Sequence, residues 1–240
     1  MALAERRQRE KDQRREDIVN AAEKLFFSRG YDNVSMDEIA GEVELSKPAL
    51  YYYFKDKESL FFAVVNRGVK ILRAMVEEEV ISAQANGIKI GAIATAFEKF
   101  IQKYPDYARA YFHFWSGRFD ISNDKNVSPD AKEIIEFTWE SYEKSLLILK
   151  KGIEEGVIRS DVSPVVVVVL NNLIVTGIMN MSPYLRKFME VHGITMEQFY
   201  LEVANLVSHM AMDKGEGNES IRERMLKWRS DRFAPEQNKD

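Results

Sequence analysis

Four consecutive aromatic residues, Tyr51 to Phe54, follow directly on Ser46, Lys47 and Pro48. A helix turns by about 100° per residue, so four neighbouring side chains almost encircle it, whereas a core covers only about half of that circumference. At least one tyrosine must therefore face away from the protein's own core. Lys47 and Tyr51 would share a face one turn apart, and ammonium and phenol groups both bond phosphate oxygens.

The neighbouring residues also suit contact with a nucleic acid. Ala49 is a small residue on the outer face, which would let the helix approach base edges and thymine methyl groups in a major groove. Ser46 and Ser35 stand at two predicted helix N-termini, where free backbone N–H groups can meet phosphates. Lys57 lies in the first turn of the following helix and could hold a further phosphate. Together these residues predict a double-stranded DNA partner.

The elements that would carry these residues are helices. Residues 14–83 have the periodicity of a long, a short, a short and a long helix, and only Glu42 to Leu45 separates the two short ones. Ser35 and Glu38 have the S-x-x-E spacing of a capping box at the start of the first short helix. This layout predicts a helix-turn-helix.

Beyond residue 84 the pattern predicts further helices and no sheet. Val165 to Val169 is β-branched, but it stands among helical segments without a partner strand, which favours a helix. The fold class that we expect is all-α. The expected helices lie at about 90–103, 106–118, 129–155, 163–182 and 195–213, with a short amphipathic helix within 218–232.

Composition excludes several classes of protein. The 240 residues are 45% hydrophobic, carry a formal net charge of −4 and include no cysteine. A disulfide framework, thiolate metal sites and cysteine catalysis are therefore excluded, and a reducing cytoplasm fits. The first sixteen residues hold no apolar segment of the kind found in signal peptides, and the apolar run from Pro164 to Leu170 is too short to cross a bilayer. We expect a cytoplasmic protein without a membrane segment.

The net charge of the N-terminal region does not by itself predict a nucleic-acid partner. Residues 1–60 hold 11 Lys/Arg and 13 Asp/Glu, a net charge of −2, so DNA binding would require the charges to be sorted by face. The basic residues before the first predicted helix would form either an arm reaching the minor groove or backbone, or a solvated helix extension with i,i+4 ion pairs. These residues are Arg6, Arg7, Arg9, Lys11, Arg14 and Arg15.

Residues 21–61 strongly resemble the DNA-binding region of the tetracycline-repressor (TetR) family of transcriptional regulators. The family pattern is L-F-x-x-x-G-Y/F, then S/T-x-x-x-I-A, then S-x-x-x-L-Y-x-Y/H-F-x-x-K-x-x-L. Tyr53 stands at a position where histidine is common in the family, and its hydroxyl group can still form a hydrogen bond. Residues 150–164 also resemble a segment of the family's ligand domains. The matching residues are Leu25, Phe26, Gly30, Tyr31, Ser35, Ile39, Ala40, Ser46, Leu50, Tyr51, Tyr53, Phe54, Lys57 and Leu60.

The resemblance implies a set of DNA contacts and a domain order. Contacts to phosphates would come from Ser35, Ser46, Tyr51, Tyr53 and Lys57, and contacts to bases from Lys47, Ala49 and Tyr52. The implied domains are an N-terminal arm with the helix-turn-helix (1–56), a connecting helix (57–83), a helical bundle for ligand binding and dimerisation (84–213) and a C-terminal tail with a short helix (214–240). The resemblance further implies a homodimer through helices 163–182 and 195–213, reading a near-palindromic operator.

Aromatic residues are dense between 97 and 119, which allows two interpretations: ordinary core, or a cavity for an apolar or aromatic ligand. The side chains that could line such a cavity or orient a ligand are Phe112, His113, Trp115, Arg118, Tyr142, Asn171, Asn172 and Thr176. The three histidines are too far apart in sequence to suggest a metal site. No Gly-rich phosphate loop or catalytic motif is evident, so we expect neither a cofactor nor an enzyme.

The leading hypothesis is a ligand-responsive regulator, a repressor in preference to an activator, that an apolar or aromatic small molecule releases from its operator. One alternative is a helical carrier or sequestering protein for an apolar small molecule. A carrier would not need Lys47, Tyr51, Tyr53 and Lys57 to face solvent together. The other alternative is an enzyme using the aromatic cavity, which would need paired titratable groups in one cavity.

Overall fold

A computed structural model describes residues 2–85, 92–121, 127–211 and 227, and its elements are α-helices, which confirms the all-α fold class. The segment Val165 to Val169 is helical, as predicted. The predicted helix within 218–232 lies outside the described residues, apart from residue 227. The helices are α1 (Ala2–Arg29), α2 (Met36–Glu42), α3 (Lys47–Tyr53), α4 (Lys57–Ala85), α5 (Ala92–Lys103), α6 (Pro105–Phe114), α7 (Pro129–Glu154), α8 (Pro164–Met179), α9 (Pro183–Val191) and α10 (Met196–Ala211).

The chain divides into two compact units. Unit 1 comprises Met1–Ile71 and Tyr104–Phe137, and unit 2 comprises Leu72–Lys103 and Thr138–Asp240. The long helices α4 and α7 each contribute residues to both units. The two units are defined by how the chain packs. The predicted domains 1–56, 57–83, 84–213 and 214–240 are defined by function, so they stay a prediction.

The helices differ from the sequence prediction most clearly at α1, α6 and α9. Helix α1 begins at Ala2, so the basic N-terminal segment is helical. Helix α6 ends at Phe114, because the chain turns at Gly117, whose φ of +79° a helix cannot accommodate. Helix α9 was not predicted: it lies between the expected helices 163–182 and 195–213, with Pro183 in its first turn and Ser182 as its N-cap.

The core of unit 1 follows from helical periodicity. Ile18, Ala22 and Phe26 recur every fourth residue on α1 and are buried. Leu50 of α3 is completely buried within this unit, and α4 adds Leu60 and further apolar residues. Aromatic side chains also pack in this core as edge-to-face pairs. The ring centroids are 5.0 Å apart in Phe62–Phe114 and 5.1 Å apart in Phe62–Phe119.

Unit 2 leaves much apolar surface uncovered along its last helices. The exposed residues lie on α8, α9, the following turn and α10: Val165, Val166, Val169, Leu173, Tyr184, Leu185, Phe188, Val191, Ile194, Leu206 and Met210. In the described part of the chain, no single helix has the length and apolar character needed to cross a bilayer. Helices α8 and α9 meet that test only as a pair, and they are bent by 87° at the break between them.

Candidate nucleic-acid interface

Helix α2 begins at a complete capping box, as the S-x-x-E spacing predicted. The Glu38 backbone N–H donates to Ser35 Oγ at 3.2 Å, and the Ser35 backbone N–H donates to Glu38 Oε2 at 2.8 Å. Arg29 pairs with the same carboxylate at 2.7 Å. These bonds, led by the one from the Ser35 backbone, lower the pKa of Glu38 from 4.5 to about 2. The N-terminus of α2 is thereby fixed to the end of α1.

The turn between the two short helices is tight. Helix α2 ends at Glu42, and the Leu45 N–H returns to the Ala40 carbonyl at 2.9 Å. Glu44 adopts a φ of +53°, a left-handed conformation that is costly for a residue with a Cβ. The second short helix, α3, therefore starts at a defined angle after only four residues.

Helix α3 separates a buried face from an outer face, as the sequence predicted. Ser46 is its N-cap and accepts the Ala49 N–H at 3.4 Å, and Leu50 and the C-cap residue Phe54 point into the core. On the outer face Tyr52 is 69% exposed and Tyr51 is 42% exposed. The half-buried Ala49 and Tyr53 lie between the two faces. The tyrosine run thus leaves two phenol groups available to another molecule.

The two lysines of this region have different surroundings. The exposed Lys47 Nζ contacts both carboxylate oxygens of Asp37 on α2, at 2.9 and 3.0 Å, and this bond raises its pKa. Lys57 Nζ is half-buried: it donates to the Val34 carbonyl at 2.7 Å and lies 4.2 Å from the centre of the Tyr31 ring. Burial lowers the pKa of Lys57. Lys57 therefore holds the segment that leads into Ser35, and it does not project freely into solvent like the tyrosines.

The basic N-terminal segment is a helix with i,i+4 contacts. Arg6 pairs with Glu10 at 2.8 Å, and Gln8 bonds Asp12 at 2.8 Å. The structure shows the helical form with i,i+4 contacts that the sequence allowed, and contact of this segment with DNA stays a prediction. Its residues line an open groove together with Tyr52 and Tyr53 of α3.

The ligand candidates do not share one compact unit. Phe112, His113, Trp115 and Arg118 belong to unit 1, whereas Tyr142, Asn171, Asn172 and Thr176 belong to unit 2. Asn171 and Thr176 are half-buried, and Asn172, Tyr142 and Trp115 are exposed. Half-buried Phe112 packs its ring against Tyr111 at 5.6 Å.

His113 and Arg118 contact the segment that follows α1. The His113 ring lies 5.6 Å from Tyr31 and 5.4 Å from Phe119, and burial lowers its pKa. Its buried Nε2 has no hydrogen-bond partner among the described residues. Arg118 pairs with Asp32 and stacks 5.5 Å from Tyr31, so both side chains fasten the end of α6 to the loop before α2.

Unit 2 contains buried polar groups that the sequence analysis missed. Glu79, Thr95, Glu98, Thr138 and Ser141 are all buried. The Thr95 Oγ1 has no partner in the described ranges, which is costly unless something else bonds it. Single Thr, Ser and Glu residues on an amphipathic helix normally lie on its solvent face, so the sequence held no signal for their burial. Searched for metal ligands, the described residues offer no group of three or more His, Asp or Glu that could hold an ion.

Comparison with known proteins agrees with this geometry. Residues 18–64 match the family model described as bacterial regulatory proteins, tetR family. The transcriptional activator FasR of Mycolicibacterium smegmatis is 37% identical over 92 residues, which are 38% of this chain and 42% of FasR. The chain thus spans less than half the length of this curated relative.

Solved structures extend the similarity beyond the helix-turn-helix. A TetR/AcrR-family regulator from Thermobifida fusca is 27% identical, with a TM-score of 0.53 over 71% of this chain and 86% of that one. The ketosteroid transcriptional regulator KstR2 of Mycobacterium tuberculosis has a TM-score of 0.58 at 17% identity, over 84% of this chain and 96% of that one. The second similarity concerns the fold alone.

Proposed function

We propose that this chain, which belongs to the TetR family of transcriptional regulators, is a cytoplasmic ligand-responsive regulator that binds a near-palindromic operator as a homodimer. The observation that carries the proposal is the outer face of α3. Its exposed tyrosines stand on a short helix that is held at a defined angle after α2. A carrier for a small molecule has no use for such a surface.

In the proposed complex α3 lies in the major groove. Tyr51, Tyr53 and the N-cap serines Ser35 and Ser46 would bond phosphates. Base edges would be contacted by Lys47, Ala49 and Tyr52. To reach a base, the Lys47 ammonium would leave its ion pair with Asp37. Lys57 uses one N–H on Val34, so its other donors would be available to a phosphate beside Ser35.

The exposed apolar stripe supports the proposed dimer. Val165, Val169 and Leu173 recur every fourth residue on α8, and each is more than half exposed, as are Leu206 and Met210 on α10. Burying such a stripe against a second copy would form a four-helix interface from the predicted regions 163–182 and 195–213. Two copies would also double the short DNA contact that one α3 can make.

Leu173→Glu tests this interface, with Leu147→Glu on α7 as the matched control, because the two leucines are 61% and 69% exposed. Sedimentation should show monomers for Leu173→Glu and dimers for Leu147→Glu and the wild type. A wild-type monomer, or dimers of Leu173→Glu at the same concentration, would contradict the proposed interface.

We further propose that an effector binds in the helical bundle and releases the DNA. The sequence predicts that this effector is apolar or aromatic, because aromatic residues are dense between 97 and 119. To move an equilibrium from 1:99 to 99:1, the effector must prefer one state by about 10⁴-fold. Repression is the simpler direction, because a dimer that occupies a promoter needs no further contact with polymerase.

The proposal is tested by selecting operators from random duplex DNA, with and without a cell extract that supplies small molecules. A recovered near-palindrome supports the regulator, and the arm in which it is recovered shows whether a small molecule is required. Failure to recover a sequence in either arm would contradict the proposal and leave the carrier alternative. If saturating effector left the operator affinity unchanged, the release scheme would be wrong.

Tyr51→Phe then tests the α3 contact, with Tyr184→Phe as the control, since Tyr184 is an exposed tyrosine of α9. Removing a hydrogen bond to a charged phosphate should weaken binding by about 10-fold or more for each half-site, evenly across sequences. Tyr184→Phe should bind like the wild type. Equal affinities for the two variants would remove Tyr51 from the interface.

A further inference from the structure

We propose that the first turns of α1 form a second DNA-backbone site, in which Arg7, Lys11 and Arg14 bind phosphates of a strand that passes along the groove between α1 and α3. This inference rests on the proposed function. It adds to the tyrosine contacts a basic element that the helix-turn-helix does not contain.

The groove is an open channel between two helices of unit 1. One wall is the N-terminal part of α1 and the other is the end of α3. Lys11 Nζ lies 5.1 Å from the centre of the Tyr52 ring, and the Arg15 guanidinium lies 5.0 Å from the Phe54 ring. These contacts hold the helix extension at a defined position beside α3. The lining residues are Ala4, Arg7, Gln8, Glu10, Lys11, Gln13, Arg14, Asp17, Tyr52 and Tyr53.

The three basic residues share one stripe of the helix. Residues 7, 11 and 14 have the i, i+4, i+7 spacing of one helical face. The same stripe continues into Ile18 and Ala22, which are completely buried in the core of unit 1. The basic stripe therefore faces the side on which α3 lies, whereas Arg9 projects from the opposite side of the helix.

The three basic residues of the groove are available to an anion from outside the protein, because the neighbouring carboxylates bond other residues. Arg7, Lys11 and Arg14 are exposed and make no ion pair in the described part of the chain. The nearby acidic residues have other partners: Glu10 pairs with Arg6, Asp12 accepts from Gln8, and Asp17 accepts from Gln13. Glu10 and Asp17 also line the groove, so its charge is three positive against two negative, with both carboxylates already hydrogen-bonded.

The shape of the groove favours a polyanion over a small anion. The lining residues from Ala4 to Asp17 extend over about 20 Å of helix, at 1.5 Å per residue. An open channel of that length cannot enclose one phosphate group, but it can follow successive phosphates of a strand. The tyrosines proposed for the major-groove contact form its far wall, so one duplex can reach both surfaces.

The test compares Arg7→Gln with Arg9→Gln, which remove the same charge from opposite sides of one helix. Because the proposed homodimer carries two copies of each residue, Arg7→Gln should lower the slope of log affinity against log salt on the selected operator by about 1.8, and Arg7→Gln/Arg14→Gln by about 3.6. Between 50 and 200 mM salt, the affinity of Arg7→Gln should then fall about 12-fold less than that of the wild type. Arg9→Gln should keep the wild-type slope, and Arg7→Lys should restore it.

The outcomes separate this inference from the proposed function. Equal slopes for Arg7→Gln and Arg9→Gln, on an operator that the wild type binds, would overturn the inference and leave the α3 contact standing. Failure of the wild type to bind any duplex, with or without extract, would overturn both. Circular dichroism of each variant checks that α1 remains helical, so that an altered slope reports lost phosphate contacts.

Discussion

A close approach between α4 and α6 makes Gly68 a sharp test of the packing in unit 1. A Cβ built at Gly68 on α4 would lie 2.8 Å from Cδ1, 2.9 Å from Cβ and 3.0 Å from Cγ of Tyr107 on α6. Ordinary carbon contacts begin at about 3.4 Å, so the two helices would have to separate by about 0.4–0.6 Å. Because the Cβ of Tyr107 is fixed to its backbone, a change of rotamer cannot relieve this clash.

The ring of Tyr107 is also restrained at its far end. Its hydroxyl donates to Glu23 at 2.6 Å, and Arg67 pairs with the same carboxylate at 3.1 Å. Overpacking of this kind costs about 1–3 kcal/mol. In a chain of this size each kcal/mol lowers the melting temperature by roughly 2–4 °C. We therefore expect Gly68→Ala to melt several degrees below the wild type.

The matched control is Gly41→Ala in α2, where a Cβ would meet no atom within 4 Å. Alanine is the better helix former by about 0.5–1 kcal/mol, so this variant should be as stable as the wild type or more stable. Thermal and urea denaturation followed by circular dichroism would measure both. If Gly68→Ala were no less stable than Gly41→Ala, the close packing of α4 on α6 would be refuted.

Three further predictions concern the helix-turn-helix. Glu44→Gly should raise the free energy of unfolding by about 0.5–1 kcal/mol, because glycine avoids the left-handed penalty but loses more backbone entropy; a drop in the urea midpoint would contradict this. The stabilisation from the Glu38 carboxylate should be complete above pH 4.5 and be lost as the pH falls towards 2. The urea midpoint of Glu38→Gln should therefore fall less with decreasing pH than that of the wild type. Parallel curves for the two proteins would be evidence against this stabilisation. Asp37→Asn should free Lys47 and tighten operator binding by up to about 5-fold in a binding titration, more than the control Glu42→Gln; equal gains would indicate only a general charge effect.

The sequence was sufficient at several positions where a local rule decides the structure. The capping box at Ser35, the N-cap at Ser46 and the burial of Leu50 each depend on residues within one or two turns, and the structure confirms all three. Helix α9 was missed because a proline is compatible with both a break and a helix start, and the deciding feature was the cap at Ser182.

The surroundings of Lys57 and His113 could not be foreseen, because their partners are distant in sequence. Lys57 bonds a carbonyl 23 residues earlier, and the His113 ring packs on Tyr31 in the segment between α1 and α2. Periodicity places such residues on a helix face but does not say what lies opposite. The aromatic density that suggested a cavity is thus explained, around His113, by rings that pack within unit 1.

The net charge of the N-terminal region said little about whether the protein presents a surface for DNA. A count over residues 1–60 gives −2, yet a phosphate interacts with individual side chains over a few ångströms, and more distant charges are screened within about 10 Å at 0.1 M salt. Carboxylates such as Asp12 and Asp37 are already hydrogen-bonded within the chain, whereas Arg7 and Arg14 make no ion pair in the described ranges. The arrangement of charges by helix face therefore decides whether a protein of net negative charge can present a cationic surface. That arrangement can be read from the spacing of residues 7, 11, 14 and 18 only once the helix is known to begin before them.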